Sequence, residues 1–450
     1  MDPMALFTDF YELTMARAYQ AQGMDQTAVF EVFFRRMPEK RNFILAAGLA
    51  DVLDYLESWR FTESDLAYLA GLGQFPDDFL HHLAGLRFKG DVYAVPEGTV
   101  VFPNEPLVQI VAPISQAQIL ETFVLNQVNF QSVVASKAAR LILAAQGRTV
   151  VDFGSRRAHG LDGAVKAARA SYLAGAAGTS NVQAAKLYGM PAMGTMAHSY
   201  VQAHGNETQA FANFIQVFPE TTLLVDTYDT MRGVAEVIDL AKRLGPAFKA
   251  RGIRLDSGDM ADLAKRSRNL LDAAGLNQMS IFASSELDEF KVRALLEAGA
   301  PIDGFGVGTS LVVSSDAPSL DMVYKLVDYA GVGRAKLCSS KAMYPGRKQV
   351  RRFSASGVLS HDVVCRHNEE LGGEVLLEPV MSQGQRTPAG KVSLNSSRER
   401  AAFELARLPQ HLRCLETSPR PYPVKHSPAL ERDLEQLRLA QAGGCPPAAG

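Results

Sequence analysis

Arginines, carboxylates and one histidine follow short apolar runs in the middle of the chain. The cations are Arg156, Arg157 and Arg254, the histidine is His198, the carboxylates are Asp226, Asp229, Asp256 and Asp259, and a Gly-Val-Gly-Thr turn occupies residues 306–309. Arginines and the backbone N–H groups of a glycine-rich turn suit phosphate oxygens. Carboxylates suit Mg²⁺ that is held partly through water and substrate phosphates. Together these groups indicate a phosphorylated substrate.

Each of these groups also has an ordinary structural explanation. The segment from Asp256 to Asp259 precedes a helical stretch, where an N-cap and a turn would have the same composition. A lone short glycine motif is weak, and buried histidines with a structural role outnumber catalytic ones. The functional interpretation therefore depends on the joint occurrence of these groups at strand ends, with His198 three residues after Thr195.

Composition excludes several other classes of protein. The 450 residues carry 46 Lys and Arg against 48 Asp and Glu, so no basic footprint for nucleic acid or an anionic membrane is expected. No stretch approaches the ~18 apolar residues of a membrane span, and the first residues do not resemble a signal peptide. The four cysteines, at positions 338, 365, 414 and 445, are scattered. We therefore expect a cytoplasmic protein without export or membrane anchor.

Known catalytic motifs of other folds do not occur. The sequence contains no HExxH, GxSxG or Walker A pattern and no Cys/His spacing typical of zinc. Metalloproteases, serine hydrolases with a GxSxG elbow and P-loop kinases are therefore excluded as specific interpretations.

Between Arg148 and about Tyr329 the chain alternates short apolar runs with amphipathic stretches, which predicts an α/β fold with parallel strands. The predicted strands are Thr149–Phe153, Met190–Thr195, Thr222–Asp226, Gly252–Asp256, Ser280–Ala283, Ile302–Val307 and Met322–Leu326. The predicted helices include Gly163–Leu173, Thr230–Leu244, Met260–Ala274 and Leu287–Ala298. Polar groups follow every strand rather than one switch point, which favours a β/α barrel over an open doubly wound sheet.

The two ends of the chain differ from this middle region. Leu13–Ala21 and Ala50–Trp59 resemble amphipathic helices, and Val92–Ala112 resembles short strands separated by proline-containing turns. We expect an α+β accessory domain formed from the N- and C-terminal segments. The predicted divisions are residues 1–147 for the N-terminal accessory domain, 148–330 for the barrel, 331–425 for the C-terminal segment that packs with the accessory domain, and 426–450 for a helix and flexible tail.

Five ordered motifs resemble the nicotinate phosphoribosyltransferase family. They are Thr8 to Met15, Asp152 to Arg157, Gly194 to Ser199, Arg254 to Asp259 and Gly306 to Ser310, and the likeness extends from about residue 6 to 330. The resemblance implies an irregular seven-stranded barrel of the type II phosphoribosyltransferases, and a homodimer with shared active sites. It also implies synthesis of nicotinate mononucleotide and pyrophosphate from nicotinate and phosphoribosyl pyrophosphate, the first step of NAD biosynthesis from nicotinate.

The resemblance assigns roles to individual residues. It implies ATP hydrolysis through a phosphohistidine at His198, nicotinate contacts from Thr195 and Arg254, and an aromatic contact from Tyr11 of the neighbouring subunit. It further implies that Thr309 contacts the phosphoribosyl group. Arg157, Gly306 and Gly308 complete the expected substrate site, His198, Asp256 and Arg254 the catalytic set, and Asp256 with Asp259 the Mg²⁺ ligands.

Two alternatives remain open at the level of sequence. One is a phosphoribosyltransferase of the same fold that uses nicotinamide or quinolinate instead of nicotinate. Quinolinate would need a denser cationic pocket and no phosphohistidine, so His198 argues against it. The other alternative is a binding protein that has kept the phosphate site without turnover, which the presence of His198, Arg254 and Asp256 disfavours.

Overall fold

The computed structural model describes residues 4–337 and 343–442. Contacts divide the chain into two units. The first, here called the terminal unit, consists of Met1–Val133 and Ser319–Gly450, and the second, the central unit, consists of Val134–Pro318. The terminal unit thus combines both ends of the chain. The predicted flexible tail lies largely outside the described residues, since these end at 442.

The described strands form four sheets. In chain order they are β1 (Thr27–Phe34), β2 (Ile44–Leu45), β3 (Asp91–Ala94), β4 (Val100–Val101), β5 (Val108–Pro113), β6 (Thr149–Asp152), β7 (Gly178–Thr179), β8 (Thr222–Leu224), β9 (Gly252–Leu255), β10 (Ser280–Ser285), β11 (Gly304–Val307), β12 (Met322–Tyr329), β13 (Val332–Gly333), β14 (Lys348–Ala355), β15 (Val358–Arg366), β16 (Glu374–Val375), β17 (Glu378–Ser382), β18 (Gln385–Arg386) and β19 (Val424–His426).

The helices precede, separate and follow these strands. They are α1 (Phe10–Ala21), α2 (Leu49–Ser58), α3 (Glu63–Gly71), α4 (Asp77–Gly85), α5 (Ile114–Ile119), α6 (Glu121–Ala145), α7 (Leu161–Leu173), α8 (Val182–Tyr188), α9 (His198–Ala203), α10 (Glu207–Val217), α11 (Thr230–Leu244), α12 (Met260–Ala273), α13 (Glu289–Glu297), α14 (Thr309–Val312), α15 (Leu394–Arg407), α16 (Gln410–Arg413) and α17 (Pro428–Ala442). None of the helices in the described ranges is both long and apolar enough to cross a membrane.

The central unit contains a parallel sheet with the strand order β7-β6-β11-β10-β9-β8, curled into a half-barrel. Its strands are short and buried, as is typical of parallel sheets whose two faces are both covered. Helices α11 and α12 begin at aspartate N-caps, Asp229 and Asp259, whose side chains accept from the N–H groups of Arg232 and Asp262. The predicted α/β fold with an irregular β/α barrel is confirmed.

Two of the seven predicted barrel strands are wrong. Met190–Thr195 forms only an isolated parallel bridge, between Ala192 and Thr179, because most of this segment follows the surface. Met322–Leu326 belongs to β12, which pairs antiparallel with β1 in the terminal unit. There Tyr324 is buried against Phe30, and its hydroxyl donates to the Ala117 carbonyl at 2.6 Å. An isolated apolar run does not reveal which sheet will supply its backbone partners.

The terminal unit is built mainly from antiparallel strands. Its largest sheet has the order β13-β12-β1-β5-β3-β17-β18, and a second sheet has the order β16-β14-β15-β19. Because α6 runs unbroken through residue 134 and β12 lies in the terminal unit, the central unit differs at both ends from the predicted barrel limits of 148 and 330. A fully buried arginine, Arg352 on β14, joins Asp362 on β15 to Glu404 on α15.

Candidate active site

Most of the predicted site residues of the central unit lie at or just after the carboxyl ends of strands of the parallel sheet, and Arg254 and Gly306 are the penultimate residues of β9 and β11. Parallel neighbours present their carboxyl ends at the same edge, so the segments that follow β6, β8, β9, β10 and β11 meet there. The sequence around each strand end is polar, whereas the strands themselves are apolar and buried. The geometry therefore brings together groups that are far apart along the chain.

His198 is the first residue of α9 and lies between a hydroxyl and a carboxylate. Its Nδ1 atom is 3.1 Å from Thr227 Oγ1, and its Nε2 atom is 3.7 Å from Asp256 Oδ2. The imidazole and the Asp256 carboxylate are both about one-third exposed, so both remain accessible to a substrate. A histidine held in this way can exchange a proton or accept a phosphoryl group at a solvent-accessible edge.

Asp256 is fixed by groups from two neighbouring strand ends. Its Oδ1 atom accepts a hydrogen bond from the hydroxyl of Ser284, which is buried at the end of β10. Its backbone N–H donates to Asp226 Oδ2 at 2.8 Å, and the Ser257 hydroxyl donates to the same oxygen at 2.7 Å. The Asp256 carboxylate is therefore oriented toward His198 by contacts with the segments after β8 and β10.

Arg254 and Thr195, the two predicted nicotinate contacts, touch each other. The Arg254 guanidinium donates to Thr195 Oγ1 at 2.5 Å and to the Met196 carbonyl at 3.0 Å. Burial lowers the pKa of Arg254, while the nearby Asp256 and Asp226 carboxylates oppose that effect. Thr195 also lines a cavity of about 710 Å³ whose other walls include the aromatic rings of Phe214 and Phe218. Its remaining lining residues include Glu220, Thr221 and Lys249, which precede β8 and β9, so much of this cavity lies toward the amino ends of those strands.

The residues predicted to bind phosphate lie on two adjoining turns. Arg156 and Arg157 are exposed on a 3₁₀ turn, Ser155–Arg157, directly after β6. Gly308 and Thr309 begin α14 after β11. A Cβ atom built on Gly306 would lie 2.5 Å from ring carbons of Phe153, so close packing by itself accounts for a glycine there. The substrate roles of Gly306, Gly308 and Thr309 stay predictions.

Within the described residues, no group of three or more His, Cys, Asp or Glu side chains is arranged to hold a metal ion. Mg²⁺ is commonly held by one or two carboxylates together with water and substrate phosphates, so this finding is compatible with a substrate-borne ion. Asp259 accepts from the Asp262 N–H as the N-cap of α12, which occupies one of its oxygens. Asp226 Oδ1 is buried and has no hydrogen-bond partner among the described residues, so Asp226 and Asp256 fit a cation better than Asp259 does.

The structure brings several of the predicted site residues together and adds two hydroxyls that the sequence did not single out. Thr227 and Ser284 contact His198 and Asp256, and their only sequence signal is their position directly after a strand or at its end. Tyr11, the predicted contact from a second subunit, lies on α1 of the terminal unit and is 48% exposed.

Two family models match most of the chain. The model of the nicotinate phosphoribosyltransferase N-terminal domain matches residues 6–129, and the model of the nicotinate phosphoribosyltransferase family matches residues 149–347.

Individual relatives agree with these models. A nicotinate phosphoribosyltransferase from Mycobacterium tuberculosis is 58% identical over 443 residues, which cover 98% of this chain and 96% of that protein. The Bacillus subtilis nicotinate phosphoribosyltransferase is 43% identical over 360 residues, 78% of this chain and 74% of the relative. Among solved structures, human nicotinic acid phosphoribosyltransferase matches with a TM-score of 0.85 and 31% identity, covering 96% of this chain and 99% of the human one.

Proposed function

The chain belongs to the nicotinate phosphoribosyltransferase family, and we propose that it joins nicotinate to phosphoribosyl pyrophosphate in a reaction coupled to ATP through His198. The products are nicotinate mononucleotide and pyrophosphate, with ADP and phosphate from the coupled hydrolysis. This reaction makes the enzyme the entry point of NAD biosynthesis from nicotinate. We assign it to the cytoplasm, in keeping with Cys365 and Cys414, which are free thiols.

One juxtaposition supports the proposal above all others. Arg254, which can bind a carboxylate, lies two residues before Asp256, which faces His198. Because residues two apart on a strand point to the same face, the two side chains lie side by side at the end of β9. A carboxylate bound by Arg254 would therefore lie at the same strand end as a histidine that is accessible for phosphorylation.

The bond-forming step places defined demands on the site. The pyridine nitrogen of nicotinate attacks C1 of the ribose, and the bond from C1 to the pyrophosphate oxygen breaks. Positive charge develops on the sugar and negative charge on the departing pyrophosphate. Arg156 and Arg157, exposed on the turn after β6, are suited to stabilise the leaving group.

The surroundings of His198 determine which of its nitrogens reacts. A carboxylate 3.7 Å from Nε2 favours a proton on that nitrogen. Nδ1 then carries the lone pair and accepts from the Thr227 hydroxyl at 3.1 Å. In the coupling step Nδ1 attacks the γ-phosphorus of ATP, the bond to the β–γ bridging oxygen breaks, and ADP leaves. Water later cleaves the phosphohistidine, which releases phosphate and restores the imidazole.

Mg²⁺ would neutralise phosphate charge during both phosphoryl and phosphoribosyl transfer. We propose Asp256 as a ligand, as the sequence indicates, with Asp226 beside it. The unpartnered Oδ1 atom of Asp226 supports this choice, whereas Asp259 is partly engaged as a helix cap.

Nicotinate is better supported as the substrate than quinolinate, the substrate considered above for a related enzyme of the same fold. A nicotinate-nucleotide pyrophosphorylase from Pyrococcus furiosus has a TM-score of 0.73 and 25% identity, covering 90% of this chain and 95% of that one. The likeness to the Mycobacterium tuberculosis relative is far higher, at 58% identity. Arg254, the half-buried arginine that contacts Thr195, also suits the one carboxylate of nicotinate.

The test is to incubate the purified protein with phosphoribosyl pyrophosphate, Mg²⁺ and either nicotinate, nicotinamide or quinolinate, with and without ATP. We expect nicotinate mononucleotide to form fastest with nicotinate and ATP, and ADP to accumulate with it. His198→Ala should abolish ADP formation and the acid-labile phosphoenzyme but leave slow, ATP-independent nucleotide synthesis.

His204→Ala is the matched control, because His204 ends the same short helix but contacts the Tyr200 carbonyl instead of the site. This variant should keep coupled activity. The proposed coupling is wrong if the His198 variant hydrolyses ATP at the parent rate, and the proposed substrate is wrong if quinolinate or nicotinamide outperforms nicotinate.

A further inference from the structure

We propose that Asp152 is a positioning residue that holds three loops of the active site in their binding geometry without touching a substrate. The proposal rests on the proposed function, because the loops concerned carry or adjoin the expected substrate contacts. Asp152 is the last residue of β6, and its side chain is completely buried. A side chain buried in this way does not reach a substrate, so Asp152 acts through the residues that it holds in place.

The first loop is the turn that carries the two arginines. Asp152 Oδ1 accepts from the backbone N–H of Gly154 at 2.8 Å. The Gly154 carbonyl in turn accepts from the N–H of Arg157 at 2.7 Å, which closes the 3₁₀ turn. The carboxylate thus fixes the residue from which the arginine turn is built.

Gly154 packs closely against the short helix α14 and against Gly308, which precedes it. A Cβ atom at this position would lie 2.0 Å from Val312 Cγ1 and 3.0 Å from the Gly308 carbonyl oxygen. The arginine turn therefore has little freedom to move relative to the Gly308 and Thr309 turn, provided that Asp152 keeps Gly154 in place. A displacement of either turn would therefore disturb both sets of residues that are predicted to bind phosphate.

The second loop follows β7. Asp152 Oδ2 accepts from the Thr179 hydroxyl at 2.7 Å, and the Thr179 hydroxyl oxygen accepts from the Asn181 N–H at 3.0 Å. The Asp152 backbone carbonyl also accepts from the Ser180 N–H at 2.8 Å. Side chain and main chain of Asp152 thereby orient the same segment.

The third loop leads to the histidine. The Thr179 N–H donates to the Pro191 carbonyl at 3.1 Å, and the Met193 N–H donates to the Thr179 carbonyl at 2.9 Å. Met193 is two residues before Thr195 and five before His198. Thr179 therefore connects Asp152, through hydrogen bonds, to the segment that contacts Arg254 and leads into α9.

A carboxylate suits this junction because both neighbours are donors. The Gly154 N–H cannot reverse its role, and the Thr179 hydroxyl already uses its oxygen as an acceptor. An amide at position 152 would offer one acceptor and one donor group, so its N–H₂ group would face either a backbone N–H or the hydroxyl. Burial raises the pKa of Asp152, and the two hydrogen bonds oppose this by favouring the ionised form.

The experiment uses the full-length enzyme, four single variants and one double variant. Asp152→Asn inserts the mismatched amide, Thr179→Val removes the hydroxyl, and Thr179→Ser restores it with less bulk. Glu289→Gln is the control, since Glu289 is a buried carboxylate of the same unit whose partners, Lys137 and Arg140, lie on α6. Steady-state KM and kcat are measured for nicotinate and phosphoribosyl pyrophosphate, with thermal unfolding recorded in parallel.

We expect Asp152→Asn to raise at least one substrate KM by about tenfold and to lower kcat/KM by about 10- to 100-fold, because small displacements of positioning groups have effects of this size. Thr179→Val should act in the same direction, Thr179→Ser should recover most of the loss, and the double Asp152→Asn, Thr179→Val variant should be little worse than Asp152→Asn. Glu289→Gln should lower only the unfolding temperature.

The proposal is overturned if the parent is active but Asp152→Asn and Thr179→Val keep both KM values. A loss of kcat that merely follows the folded fraction, as expected for Glu289→Gln, would also overturn it, because it would show a stabilising role alone. If Asp152→Asn does not fold, the KM and kcat values of Thr179→Val and Thr179→Ser are judged by the same criteria. Absence of nicotinate mononucleotide synthesis by the parent would instead contradict the proposed function, so the two failures are distinguishable.

Discussion

The Arg254 guanidinium makes two hydrogen bonds within the protein and has further N–H groups that can bind a substrate. Its two terminal nitrogens donate to Thr195 and to the Met196 carbonyl, while its buried Nε–H has no partner among the described residues. Each terminal nitrogen also carries a second N–H group, to which a substrate carboxylate can bind. This residue can therefore distinguish nicotinate from nicotinamide, whose neutral amide forms a weaker contact.

Replacing Arg254 by Gln should reduce the preference for nicotinate. A charged hydrogen-bonded pair contributes ~1.5–3 kcal/mol, so the ratio of kcat/KM values for nicotinate and nicotinamide should fall by about one to two powers of ten. The ratio is measured at saturating phosphoribosyl pyrophosphate. Arg251→Gln is the control, because Arg251 precedes the same strand but pairs with Glu220 at the surface.

A different outcome would reassign Arg254 to the phosphate side of the site. In that case discrimination between the pyridines would survive, and the apparent affinity for phosphoribosyl pyrophosphate would collapse. Arg157 and the backbone near Thr195 would then be the next candidates for the carboxylate contact.

The residues that sequence identified and those that it missed differ in chemical type. His198, Arg254 and Asp256 stand out because charged groups at the ends of apolar strands need an explanation. Thr227 and Ser284 do not stand out, because hydroxyl residues are common in any turn. Their roles depend on distances between segments that only the folded chain brings together.

Helices with a clear apolar period were predicted well, and so were five of the seven barrel strands, whereas a short strand without an apolar pattern was not. Predicted and observed limits of α11 agree at Thr230 and Leu244, and its aspartate cap marks the start. The two-residue strand β7 was missed because Gly178 and Thr179 have no strand pattern. Its pairing with β6 depends on Asp152 and on the close approach of Pro191, neither of which local periodicity can reveal.

Helix α1 is attached to α5 by a buried acid. Glu12 is fully buried and accepts from the Gln118 side chain at 2.6 Å, but its second oxygen has no partner among the described residues. Burial raises the pKa of Glu12 from 4.5 to about 7. The folded protein therefore retains this proton at pH values where the unfolded chain has lost it, and the stability from this group falls as the pH rises toward and through 7.

Glu12→Gln should remove this pH dependence, because an amide resembles the protonated acid and does not ionise. We expect the variant to match the parent at pH 4 and to exceed it at pH 8 by at most about 3 kcal/mol in unfolding free energy, measured in urea. Glu63→Gln, at an exposed position in α3, is the control and should change neither value. An equal effect of Glu12→Gln at both pH values would show that Glu12 is ionised in the folded protein.

At the scale of the whole molecule, the resemblance predicts that an aromatic side chain of a second subunit contacts the pyridine ring of the substrate. Tyr11 and its neighbour Phe10 expose about half of their surface on α1 of the terminal unit. Large exposed aromatic side chains on one helix turn are typical of a contact surface. The resemblance places Tyr11 in the active site of a second subunit, which predicts a homodimer with shared sites.

Mixing two defective chains tests this arrangement directly. A Tyr11→Ala chain keeps its own His198, and a His198→Ala chain keeps its own Tyr11, so a mixed dimer should contain one complete site and one doubly defective site. At equal amounts and with random exchange, half of the dimers are mixed, and ATP-coupled activity should return to about one quarter of the parent value per subunit. A chain with both substitutions, mixed with Tyr11→Ala, is the control and should restore nothing. If subunit exchange is demonstrated with tagged chains and coupled activity still does not return, each subunit builds its site alone, and Tyr11 has no role across the interface.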